Sequence, residues 1–241
     1  MSLNGKTVLI TGGAKRIGRS LALAIARAGG DLVIHYHQSE DEADSLLAEV
    51  KALGRKALSL KADLSDPAQA AGLIQRAAGG GPLFALVNNA SVFEPLSWDN
   101  TRLEDWNRTL AVNLTAPFML SQAFARTLQP EETGRIVNLL DWRVERPGSD
   151  HLPYMISNAG LAALTRSLAV ALAPQISVNG LALGAILPPS TGSQAANLMA
   201  QIPARRAGLL EEIGQALIFL LDGPAFMTGE ILSLDGGRHL V

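Results

Sequence analysis

The chain has 241 residues, enough for one large domain or two small ones, and at that length about 70% of the unfolded surface is buried without covalent staples. Lys and Arg number 20 against 22 Asp and Glu, and the net charge of -2 argues against a generally basic nucleic-acid binder. Apolar residues make up 48% and charged ones 17%, a globular composition, and the lack of cysteine excludes disulfides, thiolate metal sites and a cysteine nucleophile.

The first strand is Thr7–Ile10, followed by a glycine turn and a helix from about Ile17 to Ala28. Asp31–Tyr36 is a second strand, and Glu40 to Leu53 a polar-faced helix. Lys56–Leu60 precedes a helix from Pro67 to Ala78, and Phe84–Val87 precedes a long helix from Leu103 to Leu128. Arg135–Leu140 leads to a helix from Tyr154 to Leu172, and Ile176–Leu181 and Ile231–Leu234 complete the strands. Continuous apolar strands alternating with helices predict a parallel sheet covered on both faces, a single doubly wound α/β domain of Rossmann type with seven strands. No run reaches the roughly 18 apolar residues of a membrane helix, and the amino-terminal stretch has no apolar leader, so a cytoplasmic protein without a membrane partner is expected. The Gly/Pro-rich piece Gly184 to Gly192 is the candidate mobile loop, stiffened by Pro188-Pro189.

In such sheets ligands bind beyond the carboxyl ends of the strands. Thr11-Gly12-Gly13-Ala14-Lys15-Arg16-Ile17-Gly18 follows the first strand and opens the first helix, where glycines admit a pyrophosphate and helix N–H groups meet it. The second strand ends His35-Tyr36-His37-Gln38-Ser39, with no acid before Glu40. An acid there would bind a ribose 2′-hydroxyl, so its absence favours NADP(H), with Arg16 and Ser39 in reach of a 2′-phosphate. His35 and His37 read equally well as plain strand-end residues. Asp63, followed by Leu64, either accepts from the adenine amino group or caps the helix near Ser65.

These residues resemble the short-chain dehydrogenase/reductase family. The turn matches its Thr-Gly-x-x-x-Gly-x-Gly pattern, with Arg16 in place of the middle glycine. Asn88-Asn89-Ala90 is similar to its Asn-Asn-Ala-Gly motif, with Ser91 in place of glycine. Asn113 within Val112-Asn113-Leu114 matches the family's helix asparagine, Tyr154 its catalytic tyrosine, and the likeness runs to Asp235-Gly236-Gly237. In the loop after the sixth strand, Leu183-Gly184 stands where the family has Pro-Gly, and Ala185 to Gln194 would close over the substrate.

Within the family the departures resemble pteridine and dihydromonapterin reductases. Ala14–Ser20 and His35–Ser39 are similar to their NADPH-binding turns, with Gln38 where arginine is common. Asn89-Ala90-Ser91-Val92-Phe93-Glu94-Pro95 resembles their pterin-binding loop, whose aromatic residue sandwiches the pterin against the nicotinamide. Asp141 occupies a position held by serine in most of the wider family and by Asp in pterin-reducing members. Val144-Glu145-Arg146, Gly148-Ser149-Asp150 and Gly236–Leu240 are similar to the dihydromonapterin type.

The resemblance implies hydride transfer from NADPH to a pterin C=N bond, with Tyr154 as proton donor. Phe93 and Ser91 would touch the ring, and Asp141 would accept from pterin amino and N3 groups or share a proton with Tyr154. Phe93 reads alternatively as a loop aromatic tucked into the core. The family pattern is Tyr-x-x-x-Lys, whereas this chain has Tyr154-Met155-Ile156-Ser157-Asn158, and no lysine follows Lys61. Asn158 shares a helix face with Tyr154 and is expected to hydrogen-bond the cofactor ribose without supplying charge. A tyrosine near pKa 10 is protonated at neutral pH, the right state for reduction and the wrong one for oxidation. The leading reading is therefore a slow or specialised pterin reductase. The alternatives are a catalytically silent NADP(H)-binding sensor or partner subunit, and a carbonyl or alcohol oxidoreductase. The apolar helices around Leu110–Leu128 and Tyr154–Leu172 resemble the family's subunit-packing pair and imply a homotetramer or dimer, although internal core would read the same way.

Overall fold

A computed structural model describes the backbone of residues 2–187 and 193–241 and the side chains of these residues except 193–196. Seven parallel strands form one sheet: β1 (Thr7–Ile10), β2 (Asp31–Tyr36), β3 (Ala57–Lys61), β4 (Ala85–Asn88), β5 (Gly134–Asp141), β6 (Ile176–Leu183) and β7 (Ile231–Leu234). Their order is β3-β2-β1-β4-β5-β6-β7, so the winding reverses between β1 and β4. A crevice opens at that reversal, beyond the carboxyl ends of the strands.

β1, β4 and β6 are apolar almost throughout because both faces of the sheet are covered. On one face pack α1 (Arg16–Arg27), α2 (Glu40–Ala52) and α8 (Leu210–Asp222), burying Leu21, Ile25, Leu46, Ile213 and Leu217 against the strands. On the other, α3 (Pro67–Ala78), α5 (Ala116–Ala125) and α6 (Leu152–Leu172) bury Leu73, Leu120, Phe124 and Ala169.

Three departures from the expected elements matter. The long helix expected from Leu103 to Leu128 is two, α4 (Leu103–Leu110) and α5, joined by a π-helical turn over Ala111–Thr115. The π turn holds Asn113, and such bulges frequently mark functional positions. Two helices were not expected at all: α7 (Ser193–Ala200) and α8. Gly214 sits inside α8 because a Cβ there would lie 2.9 Å from Ala24 Cβ, too close for α1 and α8 to pack as they do. The Pro188-Pro189 pair lies outside the described residues.

α6 is 21 residues long and apolar enough by composition to span a bilayer, yet it packs against β5 and β6 within the fold. Its register is fixed by a buried polar ladder. Asn88 Nδ2 donates to Asn138 Oδ1 (2.8 Å), Asn138 Nδ2 to Thr165 Oγ1 (2.8 Å), and Thr165 Oγ1 to the Leu161 carbonyl (2.7 Å). Chained side-chain bonds of this kind favour one arrangement of the groups they join, although Asn88 Oδ1 is left buried without a partner among the described residues. Here they set the height at which α6 presents Tyr154.

Candidate active site

The ends of β1 and β4 are stitched together before any ligand arrives. Thr11 Oγ1 accepts from the backbone N–H groups of Asn89 (2.9 Å) and Ala90 (3.0 Å). The Asn89 amide returns two bonds, to the carbonyls of Thr11 (2.8 Å) and Gly12 (3.0 Å). Gly12 has φ +60, and a Cβ on Gly18 would overlap the Gly12 carbonyl oxygen, so both glycines are required by backbone geometry. α1 begins without a side-chain cap, which leaves its first-turn N–H groups for an anion.

A groove of about 610 Å³ runs from this turn to Tyr154. Every residue expected to touch the cofactor borders it except Gly184 and Asn158. Gly184 instead serves the β6–β7 junction: its N–H donates to the Leu234 carbonyl (3.0 Å), and a Cβ there would lie 2.6 Å from Asp235 Cα.

His35 is more than a plain strand-end residue. It is buried, and Nδ1 accepts from the Gly12 N–H (3.1 Å) while Nε2 meets the Ala62 carbonyl (3.1 Å). Those partners require the neutral ring protonated on Nε2. Burial lowers its pKa to about 4, outweighing the hydrogen bond to Ala62. His35 is thus a pin for the glycine turn. His37 and Ser39 border the outer end of the groove with Lys15 and Arg16, and Arg16 adopts φ +53 at the mouth. Asp63 turns onto Ser65 and leaves the capping of α3 to Asp66: its Oδ1 accepts from Ser65 N (2.8 Å) and Oγ (2.7 Å), while Oδ2 faces His37 Nε2 at 3.7 Å. The Ser65 bonds hold its carboxyl below the usual range. Leu64 is a buried wall beside it.

At the other end stands a compact polar cluster. Tyr154, the third residue of α6, donates from its hydroxyl to Asp141 Oδ2 (3.2 Å) at the end of β5. Asp141 Oδ1 accepts from the Arg143 N–H (2.9 Å). Burial raises the Asp141 pKa, opposed chiefly by that backbone bond and by the Arg143 charge. Burial, then the charge of Asp141, pushes the Tyr154 phenol well above its ordinary value.

Asn158 does not line the groove as a free ribose ligand would. It is buried beneath the pair, where Oδ1 accepts from the Asp141 N–H (3.1 Å) and Nδ2 donates to the Tyr154 carbonyl (3.0 Å). Asn158 therefore clamps β5 to α6. Asn113 acts in a similar manner one layer out: its amide exchanges bonds with Val92 N (2.8 Å) and O (3.0 Å) and donates to Ser157 Oγ (3.1 Å). It positions the Ser91–Phe93 loop against α6.

Phe93 is 56% exposed, so it is not tucked into the core. One face stacks on His151, with centroids 4.2 Å apart and planes 8° apart, and the ring meets Tyr154 edge-on at 4.7 Å. His151, Thr11, Ser157 and Arg143 were not among the expected site residues. His151 has φ +55, a conformation sequence does not announce, and only its closeness to Tyr154 in the chain hinted at it.

An open groove, two obligatory glycines, an uncapped helix and basic groups opposite the second strand form a cradle that fits a nicotinamide dinucleotide. A part-buried phenol at the far end fits a proton donor. The family model described as "Enoyl-(Acyl carrier protein) reductase" matches residues 12–239. The chain belongs to the short-chain dehydrogenase/reductase family. It is 33% identical over 100% of both chains to the 3-oxoacyl-[acyl-carrier-protein] reductase FabG of Escherichia coli. Among solved structures it is similar to FolM alternative dihydrofolate reductase 1 of Brucella canis, complexed with NADP (TM-score 0.93, 33% identity, 100% of this chain and 97% of that one). A short-chain dehydrogenase of Burkholderia cenocepacia, also with NADP, aligns with TM-score 0.92 and 34% identity over 99% of each chain.

Proposed function

We propose that the protein is an NADPH-dependent pterin reductase, with Tyr154 as the proton donor. The observation that carries this reading is the Tyr154–Asp141 pair facing a half-exposed Phe93 at the inner end of the groove. NADP(H) is the cofactor, its pyrophosphate at the Gly12–Gly18 turn and its 2′-phosphate near Arg16, His37 and Ser39. When bound it supplies the hydride.

The remaining work falls to side chains of this chain. Phe93 offers an aromatic edge and its free face to a flat heterocycle. Tyr154, neutral because its pKa is raised, holds a proton at Oη for the ring nitrogen that gains charge. Asp141 keeps the phenol oriented and accepts from amino and ring N–H groups of the substrate. An Asp suits that edge better than the serine of alcohol-oxidising relatives, because a carboxylate accepts two hydrogen bonds side by side. The outer faces of α5 and α6 leave Phe118, Ile156 and Val170 exposed, which supports a dimer or tetramer. A cytoplasmic location accords with the same reading.

The test is NADPH oxidation with dihydropterins, alongside a 3-oxoacyl thioester and simple ketones. Turnover of a dihydropterin at least tenfold above the others is the expected result, and preference for the thioester would replace this reading. One observation favours a silent NADP(H)-binding protein instead: Asn158 brings no cation to Tyr154. NADPH binding with no turnover of any compound would select it.

A further inference from the structure

Beside the catalytic pair lies a second cavity, of about 810 Å³, that the reaction as derived does not use. Three segments distant in sequence build it: the stretch after β5, the stretch after α7 and the carboxyl terminus. Four arginines line it, Arg143, Arg146, Arg205 and Arg238. The acidic side chain at its wall is Asp150, leaving a surplus of positive charge among the lining side chains.

Surface arginines normally splay into water or pair closely with acids, whereas Arg143 and Arg238 are partly covered and only loosely partnered. Arg143 is largely covered, and its Nη1 is buried with no hydrogen-bond partner among the described residues. Its other terminal nitrogen reaches Asp150 only at 3.5 Å. Arg238 sits over the Trp142 ring, 4.2 Å from its centroid, with its guanidinium partly desolvated and close enough to Arg143 for the two charges to repel. A buried guanidinium N–H left unmade is costly, and like charges held together add to that cost. Both penalties disappear when an anion sits between the guanidiniums, whose forked N–H groups match carboxylate and phosphate oxygens.

The cavity adjoins the site through two short links. The Arg143 N–H bonds Asp141, which holds the Tyr154 hydroxyl. Asp150 Oδ2 meets His151 Nδ1 at 2.9 Å, and His151 stacks on Phe93. We propose that this arginine basin binds the negatively charged tail of the substrate, a carboxylate or phosphate group carried away from the ring that is reduced. The inference rests on the pterin reading for the identity of that ring, but not for the identity of the tail. A basin this large holds more than a lone ion, within the span of about 300–1,000 Å³ usual for ligand sites.

The test compares three dihydropterins on the NADPH-loaded protein: dihydromonapterin with a neutral side chain, dihydrofolate with carboxylates, and dihydroneopterin phosphate. At least one anionic substrate is expected to exceed the neutral one tenfold or more in kcat/KM, and which one does so identifies the tail. In the double variant Arg146→Gln/Arg205→Gln that preference falls to parity through KM, while kcat and the neutral substrate stay within twofold. Equal use of all three by the unaltered protein, or an equal loss on all three in the variant, overturns the proposal. A second measurement does not depend on the ring: calorimetric titration with p-aminobenzoylglutamate and with inorganic phosphate at low salt. One of them is expected to bind the unaltered protein and to bind the double variant at least tenfold more weakly, with NADPH affinity unchanged. If no pterin is turned over but a probe binds in this way, the pterin reading fails and the basin stands. If neither probe binds, the basin proposal fails.

Discussion

Tyr154 and Asp141, thirteen residues apart in the chain, form a 3.2 Å hydrogen bond, and burial together with the Asp141 carboxylate disfavours ionisation of the phenol. Tyr154 is part-buried and faces a carboxylate, so its proton is held more tightly than in water. Such a group donates to a developing anion and serves poorly as a base. Tyr154→Phe should lower kcat by roughly 10²–10⁴-fold, the usual worth of general acid catalysis, with the NADPH dissociation constant within about threefold. Single-turnover kinetics and fluorescence titration separate the two.

Asn158→Lys is expected to act in opposite senses on stability and on oxidation. A lysine can replace the donor to the Tyr154 carbonyl but cannot accept from the Asp141 N–H, which is left unpaired. That loss should lower stability by about 1–3 kcal/mol in urea unfolding. The new cation should lower the phenol pKa and shift the alkaline limb of the oxidative pH profile downward. An unmoved profile would mean that the introduced charge does not reach Tyr154.

His35 makes the fold sensitive to acid. Its pKa falls from 6.5 in the unfolded chain to about 4 when folded, so between those values the unfolded state binds the extra proton. Its contribution is complete above pH 6.5, erodes as pH falls toward 4 and levels off below, a span on the order of 3 kcal/mol. His35→Gln should be less stable at pH 7, yet the gap to the unaltered protein should narrow steadily toward pH 4. Parallel urea midpoints over that range would disprove the assignment.

Asn89→Ala removes the two bonds that the Asn89 side-chain amide makes to the glycine turn, leaving those that Thr11 Oγ1 accepts from backbone. Two carbonyls lose their partner in a part-buried place, and the turn no longer holds the shape that accepts a pyrophosphate. NADPH affinity should fall at least tenfold by fluorescence titration, with a smaller effect on melting temperature.

The sheet was legible because each strand is an apolar run bounded by turn residues, and a doubly wound sheet buries both faces. The glycine turn, Tyr154 and Asp141 were legible because their chemistry is local or keeps a fixed spacing. The break at Asn113 was not, although Pro117 in the first turn of α5 was its available signal. α8 was obscured by Gly214, whose packing reason exists only once α1 is in place. Asn158 was read as a ribose ligand, and His35 as either a cofactor contact or a plain strand end, because sequence shows which groups can bond, while the protein partners that occupy them lie in the glycine turn, just past β3, at the end of β5 and in α6. The arginine basin is non-local in the same sense, assembled from residues 143 to 238.

The uncharged clamp beneath Tyr154 also bears on which redox form of the cofactor is held. The oxidised nicotinamide ring carries a positive charge that the reduced ring lacks, and a fixed ammonium a few ångströms away would repel it by on the order of 1–4 kcal/mol. Asn158 exerts no such repulsion. Spent cofactor should therefore linger, and its departure rather than chemistry should pace each cycle. A burst of NADPH oxidation equal to the enzyme concentration, followed by a slower steady rate, is the expected trace in stopped flow.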